Sequence, residues 1–532
     1  MTASVRRALT RDEWVVLVLT SVLHLAAATW LATHDLIFPD AMSRVANGYY
    51  TVLSRDPHLA AIGFVWNPLP SLATIPLLLA SPVVPALASR ALAGILVSAA
   101  CGSWAMVLAL RILRALGTPR REALVLTGVL SLQSLMLLAA ATGASEAMLL
   151  AVCLSATLHL TRWLVDDEPW YLVRAGTALG LAYLVRYEAV APAAAVTLLV
   201  LAVARRRSLA AGRPRGTALL DAVLVAGPVA AAVAGWAGVS RVVVGSWFPT
   251  FTSAYGNSAQ VAQARESIAT NTATGPGGTL GYVLDQLLHV APLAPLLVVL
   301  ALVVAWRRRD LRPLAAAAVL GAVLAFDEAA FLAGSSFGWL RFQQMAVPWG
   351  ILMAGYLVGA AVTHRARGTR PARARARGLV VVVVGALVAL TPLGWSASLD
   401  PRLAREEALA REAAAAGQYR MQGEAAAYID SLDLPDGSVV TDVAYSFPIV
   451  LASDRPAQFV ITPDRDFTDL LADPVDGGVL YALVTTPDAS QADAVAARFP
   501  GIYEDGGGVA HLVRQWRDGR GTTWRLYAFD VD

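Results

Sequence analysis

Eleven apolar runs, each about as long as a helix needs to cross a hydrocarbon core, leave this chain few ways to fold. They lie near 14–32, 88–110, 122–141, 147–164, 172–187, 189–204, 217–237, 287–306, 313–332, 345–363 and 379–396. A chain of 532 residues that is 57% hydrophobic and 15% charged cannot keep so much apolar surface inside one soluble core. The expected fold class is therefore an all-α polytopic membrane domain of about eleven transmembrane helices. The net charge of +3 carries no nucleic-acid footprint. Cys101 and Cys153 both sit in apolar runs, which disfavours a disulfide framework or a thiolate metal site.

All 42 basic residues are arginine, and their bias in short loops orients the spans. Arg6, Arg7 and Arg11, Arg111 to Arg121, Arg205 to Arg215, Arg307 to Arg312 and Arg365 to Arg377 mark one side, read as cytoplasmic. That parity closes only if the stretch 69–85, broken by Pro70, Pro76, Pro82 and Pro85, stays interfacial or re-entrant. A multi-pass plasma-membrane protein with a cytoplasmic N-terminus is the resulting expectation. After Trp395 the pattern becomes soluble: residues 1–396 form the membrane domain, and residues 397–532 a small extracytoplasmic α/β domain. A helix through 401–432 is expected there, with strands at Ser438–Val443, Gln458–Ile461, Val479–Thr485 and Trp524–Phe529. The Thr369–Arg377 run reads as a basic linker.

With the spans so oriented, the unusual polar residues gather on the outer side. Asp35, Asp40, Arg44, Asp56 and His58 follow the first span, and Glu146, Arg186-Tyr187-Glu188, Trp247 to Asn257, His289, Asp327-Glu328 and Arg341 come later. Charged groups at a membrane are costly and tend to have a task. No G-x-x-x-x-G-K-[ST], H-E-x-x-H or G-x-S-x-G occurs, and Gly275-Pro276-Gly277-Gly278 reads as a turn. What remains is a carboxylate for acid–base work and arginines for an anion, the pair needed to displace a phosphate leaving group. A sugar on a lipid phosphate fits that chemistry. A transporter or flippase would be expected to show internal repeats and midplane charges, which are not evident; a non-enzymatic scaffold is the other alternative.

The segments Phe38-Pro39-Asp40-Ala41-Met42-Ser43-Arg44, Trp66-Asn67-Pro68-Leu69-Pro70, Leu184-Val185-Arg186-Tyr187-Glu188 and Trp339-Leu340-Arg341-Phe342 resemble in layout the GT-C superfamily of integral-membrane glycosyltransferases. The likeness extends over about residues 1–396. It is greatest to actinobacterial polyprenyl-phosphate-sugar enzymes, such as arabinofuranosyltransferases, that carry a C-terminal extracytoplasmic domain. It implies a lipid-linked sugar donor, a glycan, lipid or protein acceptor, and inversion at the anomeric carbon. By the same resemblance Asp40 is the general base, with Asp35 and Asp56 as rivals because Pro39 stands where many members have a second acid. Arg186 and Arg341 would hold the donor phosphate, with His289 a further donor. Glu146 and Glu188 would bind sugar hydroxyls or fix the arginines, and Asp56 and Tyr255 would line the substrate site. No cofactor is demanded, although a divalent metal bridging carboxylate and phosphate is compatible with the pattern. Each residue has a plainer role open to it: Asp40 as a helix cap, Asp56 before Pro57 as a turn residue, Arg341 as a snorkelling side chain, His289 as a helix-end histidine, and Tyr255 as an interfacial belt residue.

Overall fold

The computed structural model describes residues 8–487 and 492–530 apart from 213, 215, 274–276 and 367–369. Arg6, Arg7, Arg213, Arg215, Gly275, Pro276 and the first residue of the Thr369–Arg377 run lie outside the described residues. Among these, eight helices are long and apolar enough to cross a membrane. The number is up to ten if each of two bent pairs, Arg120–Ser131 with Ser134–Ala141 and Gly278–Val290 with Ala294–Arg308, counts as one span. The expected eleven is reached only by adding Pro169–Val185, which at 17 residues is just shorter than the others. The proline-broken stretch 69–85 holds the ten-residue helix Leu69–Leu78, and a single turn follows it at Ala86–Ser89, neither of spanning length. From Arg370 the supposed linker is helix, continuous to Leu399. Alanine and arginine both favour helix, and Pro371 sits in the first turn where it costs nothing.

Close approach of backbones ties the bundle together where side chains are small. Gly176 and Gly180, one turn apart on Pro169–Val185, face the carbonyls of Val225 and Pro228 on Gly216–Val244; a Cβ on Gly180 would stand 2.9 Å from the Pro228 oxygen, and one on Gly176 would press into Val225. This is the small-xxx-small arrangement of membrane helix pairs. Replacing Gly176 by Val is expected to push the two helices apart and cost about 1–3 kcal/mol, seen as a lower unfolding midpoint in detergent, whereas Gly227→Ala, with open space at its Cβ, leaves that midpoint unchanged.

Beyond Leu399 the expected long helix is two, Arg405–Ala415 and Gln418–Ser431, broken because Gly417 takes a left-handed turn at φ +69°. A five-stranded sheet follows, β1 Val439–Thr441, β2 Phe459–Ile461, β3 Tyr481–Thr485, β4 Ala510–Arg517 and β5 Thr523–Phe529, in the order β2-β1-β3-β5-β4. β1 is parallel to both β2 and β3, while β5 runs antiparallel to β3 and β4. Four strands fall where the sequence places them. β4 was not expected: its side chains are largely exposed along the edge, so apolar alternation is weak there.

Helix Pro39–Leu53 lies between bundle and sheet. Met42, Val45, Ala46, Tyr49 and Tyr50 share one buried apolar cluster with Met421, Ile429, Ile449 and Trp524. Its two ends are also tied to the C-terminal segment. The Tyr419 hydroxyl donates to the Ile37 carbonyl at 3.0 Å, and Arg55 donates to Asp464 at 3.0 and 3.1 Å and to Asp466 at 3.1 Å.

Candidate active site

Charged side chains from five distant segments meet at the end of the bundle that faces the sheet. Asp40 is the second residue of Pro39–Leu53, a helix whose cap is Phe38 and not an aspartate, so its carboxylate is free to accept from Arg341 Nη2 at 2.5 Å. Arg44 follows one turn later, buried, with its guanidinium 5.6 Å from the Trp66 ring. Glu146 opens Glu146–Asp166, and Arg186 sits in extended conformation where Pro169–Val185 ends, followed by Glu188 in a single 3-10 turn. Arg341 lies in the 3-10 turn Leu340–Met345 that leads into Ala346–Ala366. Helix termini carry unpaired backbone groups and short irregular turns, and they hold these side chains at a common level.

The ion pairs are dense. Arg186 donates to Glu146 at 2.6 Å and to Glu188 at 2.8 Å, and Arg341 also stands 3.4 Å from Glu146. Both guanidiniums lie against the Phe342 ring, at 5.3 and 5.6 Å from its centre. Glu146 and Glu188 are deeply withdrawn from solvent, with side chains 3% and 6% exposed, whereas the Asp40 side chain is 45% exposed and open to an incoming acceptor. Burial would push the Asp40 carboxyl up, but Arg341, Arg44 and Arg186 outweigh it and hold it below the usual carboxylate range, so it is ionised at neutral pH. Burial depresses the Arg44 guanidinium to about 10, still charged, with the nearby Arg186 adding to the effect.

One member was not anticipated. Glu406, in the first turn of Arg405–Ala415, brings Oε2 to 3.1 Å from Arg341 Nε. Burial pushes its carboxyl well up; the pull of Arg341 is opposed by Asp40, Glu407 and Glu146. The sequence hides it inside an Ala/Glu/Arg pattern typical of a solvated helix. The one available signal is two adjacent acids, Glu406 and Glu407, starting seven residues after the span that ends at Leu399.

Asp40, Glu146, Arg186, Glu188 and Arg341 are thus brought together, and three other expected residues are not. Asp56 accepts from the Arg465 backbone N–H at 2.9 Å and from its guanidinium at 3.0 Å, which ties the first loop to the sheet. The Tyr255 hydroxyl donates to Asp442 at 2.7 Å, again in the C-terminal segment. His289 faces Asp285 on its own helix at 3.0 Å, and Asp285 in turn pairs with Arg402. Asp35, the other rival to Asp40, pairs with Arg90. Asp56→Asn is accordingly expected to leave turnover within about twofold, since a half-exposed pair of this kind contributes about 1 kcal/mol or less; steady-state kinetics beside Asp40→Asn would check it. Among the described residues no group of three or more His, Cys, Asp or Glu side chains is placed to hold a metal ion.

A family model described as dolichyl-phosphate-mannose-protein mannosyltransferase matches residues 81–236. Among curated proteins, none matches the sequence. The fold is similar to that of ArnT from Cupriavidus metallidurans, solved bound to undecaprenyl phosphate, with a TM-score of 0.54 at 15% identity over 98% of each chain. The span-length helices and the small C-terminal sheet agree with that likeness in fold: the chain is a mostly helical membrane protein with a small C-terminal sheet, similar in architecture to ArnT.

Proposed function

We propose that this protein transfers a sugar from a polyprenyl-phosphate donor to an acceptor hydroxyl, with inversion, at the outer face of a bacterial plasma membrane. The observation that carries the reading is the convergence of Asp40 with Arg44, Arg186 and Arg341 at one end of the bundle, beside the C-terminal segment. The acceptor oxygen attacks the anomeric carbon and gives its proton to the Asp40 carboxylate. The bond from that carbon to the phosphate oxygen breaks, and the bonding pair leaves with the lipid phosphate. A phosphodiester with one negative charge becomes a monoester with two, so guanidiniums at the phosphate stabilise the transition state more than the ground state. Arg341 and Arg186 supply them, and Glu146 and Glu188 hold both arginines in place.

ArnT was solved with undecaprenyl phosphate bound, and a donor of that chemical class suits a cluster at the edge of the apolar spans. The test is incubation of the purified protein with a panel of radiolabelled polyprenyl-phosphate sugars and a membrane glycan extract, with the anomeric configuration of the product read by NMR. Transfer with inversion from one donor is the expected result; no transfer from any of them, with uptake of a lipid-linked solute into proteoliposomes instead, would overturn the reading in favour of transport. Placement on the outer face is checked by labelling cysteines at positions 40 and 341 with an impermeant reagent, which should reach both from the same side.

A further inference from the structure

The cluster is already full of negative charge. Arg44, Arg186 and Arg341 face four carboxylates, Asp40, Glu146, Glu188 and Glu406, with buried Glu407 beside them. Bringing a phosphodiester anion into such a site without removing a charge adds repulsion that water screens only weakly around Glu146, Glu188 and Glu406, whose side chains are 3%, 6% and 12% exposed. One of the four must give way.

Three are held firmly. Glu146 and Glu188 each accept an aligned hydrogen bond from Arg186, and Asp40 accepts one from Arg341. Glu406 differs: its oxygen stands 3.1 Å from Arg341 Nε, yet that buried N–H has no aligned acceptor. The pair attracts without a well-formed hydrogen bond. Glu406 is also the only one of the four delivered from beyond the last span. Its backbone is fixed: Gln286 donates to the Leu403 carbonyl at 2.8 Å, the Tyr282 hydroxyl donates to the Arg402 carbonyl at 3.1 Å, and Asp400 accepts from the Arg402 N–H at 2.7 Å. The segment is thus anchored while the side chain is loosely engaged, and rotation of that side chain alone exposes Arg341 Nε.

We propose that Glu406 is an in-chain stand-in for the donor phosphate, occupying Arg341 in the resting protein and exchanged for the phosphate when the lipid-linked sugar binds. The inference rests on the donor reading given above. Rotation alone would leave the carboxylate's charge in the cluster, so the balance stays at three positive to four negative groups when Glu406 takes up a proton on leaving Arg341 and the phosphodiester brings one charge. The raised affinity of Glu406 for a proton, caused by burial and its acidic neighbours, makes its departure from the guanidinium easier. The residue therefore sets donor affinity and is a specificity element: an uncharged lipid has nothing to put in its place.

The experiment measures binding of undecaprenyl phosphate, the leaving group of the proposed reaction and a probe of the phosphate site without its sugar, and of uncharged undecaprenol to the purified full-length protein in detergent, for the wild type, Glu406→Gln, Glu406→Ala and Glu407→Gln. Loss of the competing charge should tighten undecaprenyl phosphate in both Glu406 variants by roughly tenfold, about the value of one hydrogen bond to a charged group. Undecaprenol should be indifferent to all the substitutions, and Glu407→Gln should bind like the wild type. A residue with a merely structural role would weaken binding when changed, so gain is the diagnostic sign. Wild-type binding that both Glu406 variants match or lose overturns the exchange while leaving the donor reading intact. Absence of phosphate-dependent binding in the wild type and every variant overturns the donor reading itself.

Discussion

Asp40→Asn should lower kcat by about a thousandfold, within the range that a positioned general base contributes, without raising the KM for donor. The substitution keeps shape and removes the proton acceptor, so acceptor attack loses its base while the donor site stays assembled. Its second effect runs the other way. Arg341 loses a hydrogen-bonded carboxylate and has more charge to offer a phosphate, so donor KM should stay level or fall. That split separates catalysis from scaffolding, because a merely structural Asp40 would disturb both parameters and the unfolding midpoint together. Asp40 is held below the usual carboxylate range by its arginines, so the wild type keeps its base ionised throughout neutral pH. Phosphate drawn onto those arginines offsets their pull on the carboxylate and makes it a better base when donor is present. Retention of turnover within tenfold in Asp40→Asn would move the search for a base elsewhere, since Asp56 is engaged with Arg465 and Asp35 with Arg90.

Much of this arrangement could be read from the chain because the bilayer simplifies the problem. Every apolar run must be a helix that satisfies its own backbone, so span positions and parity follow from length and arginine bias, and parity alone gathered Asp40, Glu146, Arg186, Glu188 and Arg341. What parity supplies is a shared level, not a shared place. His289 and Tyr255 were expected at that level too, and they engage Asp285 and Asp442 instead. Which residues at one level touch depends on how helices rotate and pack, and the close approach of Gly176 and Gly180 to a neighbouring backbone is a packing constraint that hydropathy cannot express. Glu406 was hidden for a different reason. An Ala/Glu/Arg helix reads as solvated in one dimension, and the anchoring of residues 402 and 403 on Gly278–Val290 turns its first turn inward. The same limit concealed β4, an edge strand without the alternation that burial of one face imposes.

Arg186→Met is expected to cost about 3–5 kcal/mol, because removing one partner of a buried ion pair strands the other. Here it strands two. Glu146 and Glu188 both depend on this guanidinium for an aligned hydrogen bond, and each already has its second carboxylate oxygen buried without a partner. Arg341 at 3.4 Å and the nearby Arg44 remain to offset Glu146, so Glu188 bears most of the loss. The drop should appear as a lower unfolding midpoint in detergent. Adding Glu146→Gln and Glu188→Gln to the same chain should restore most of the stability, as neutralising a whole buried network costs far less than halving it. The triple variant then isolates function from folding: it should be as well folded as the wild type and still bind undecaprenyl phosphate weakly, because the charge aimed at the phosphate is gone. If Arg186→Met alone unfolds no earlier than the wild type, the two glutamates must be neutral already, and the charge balance of the whole cluster would have to be redrawn.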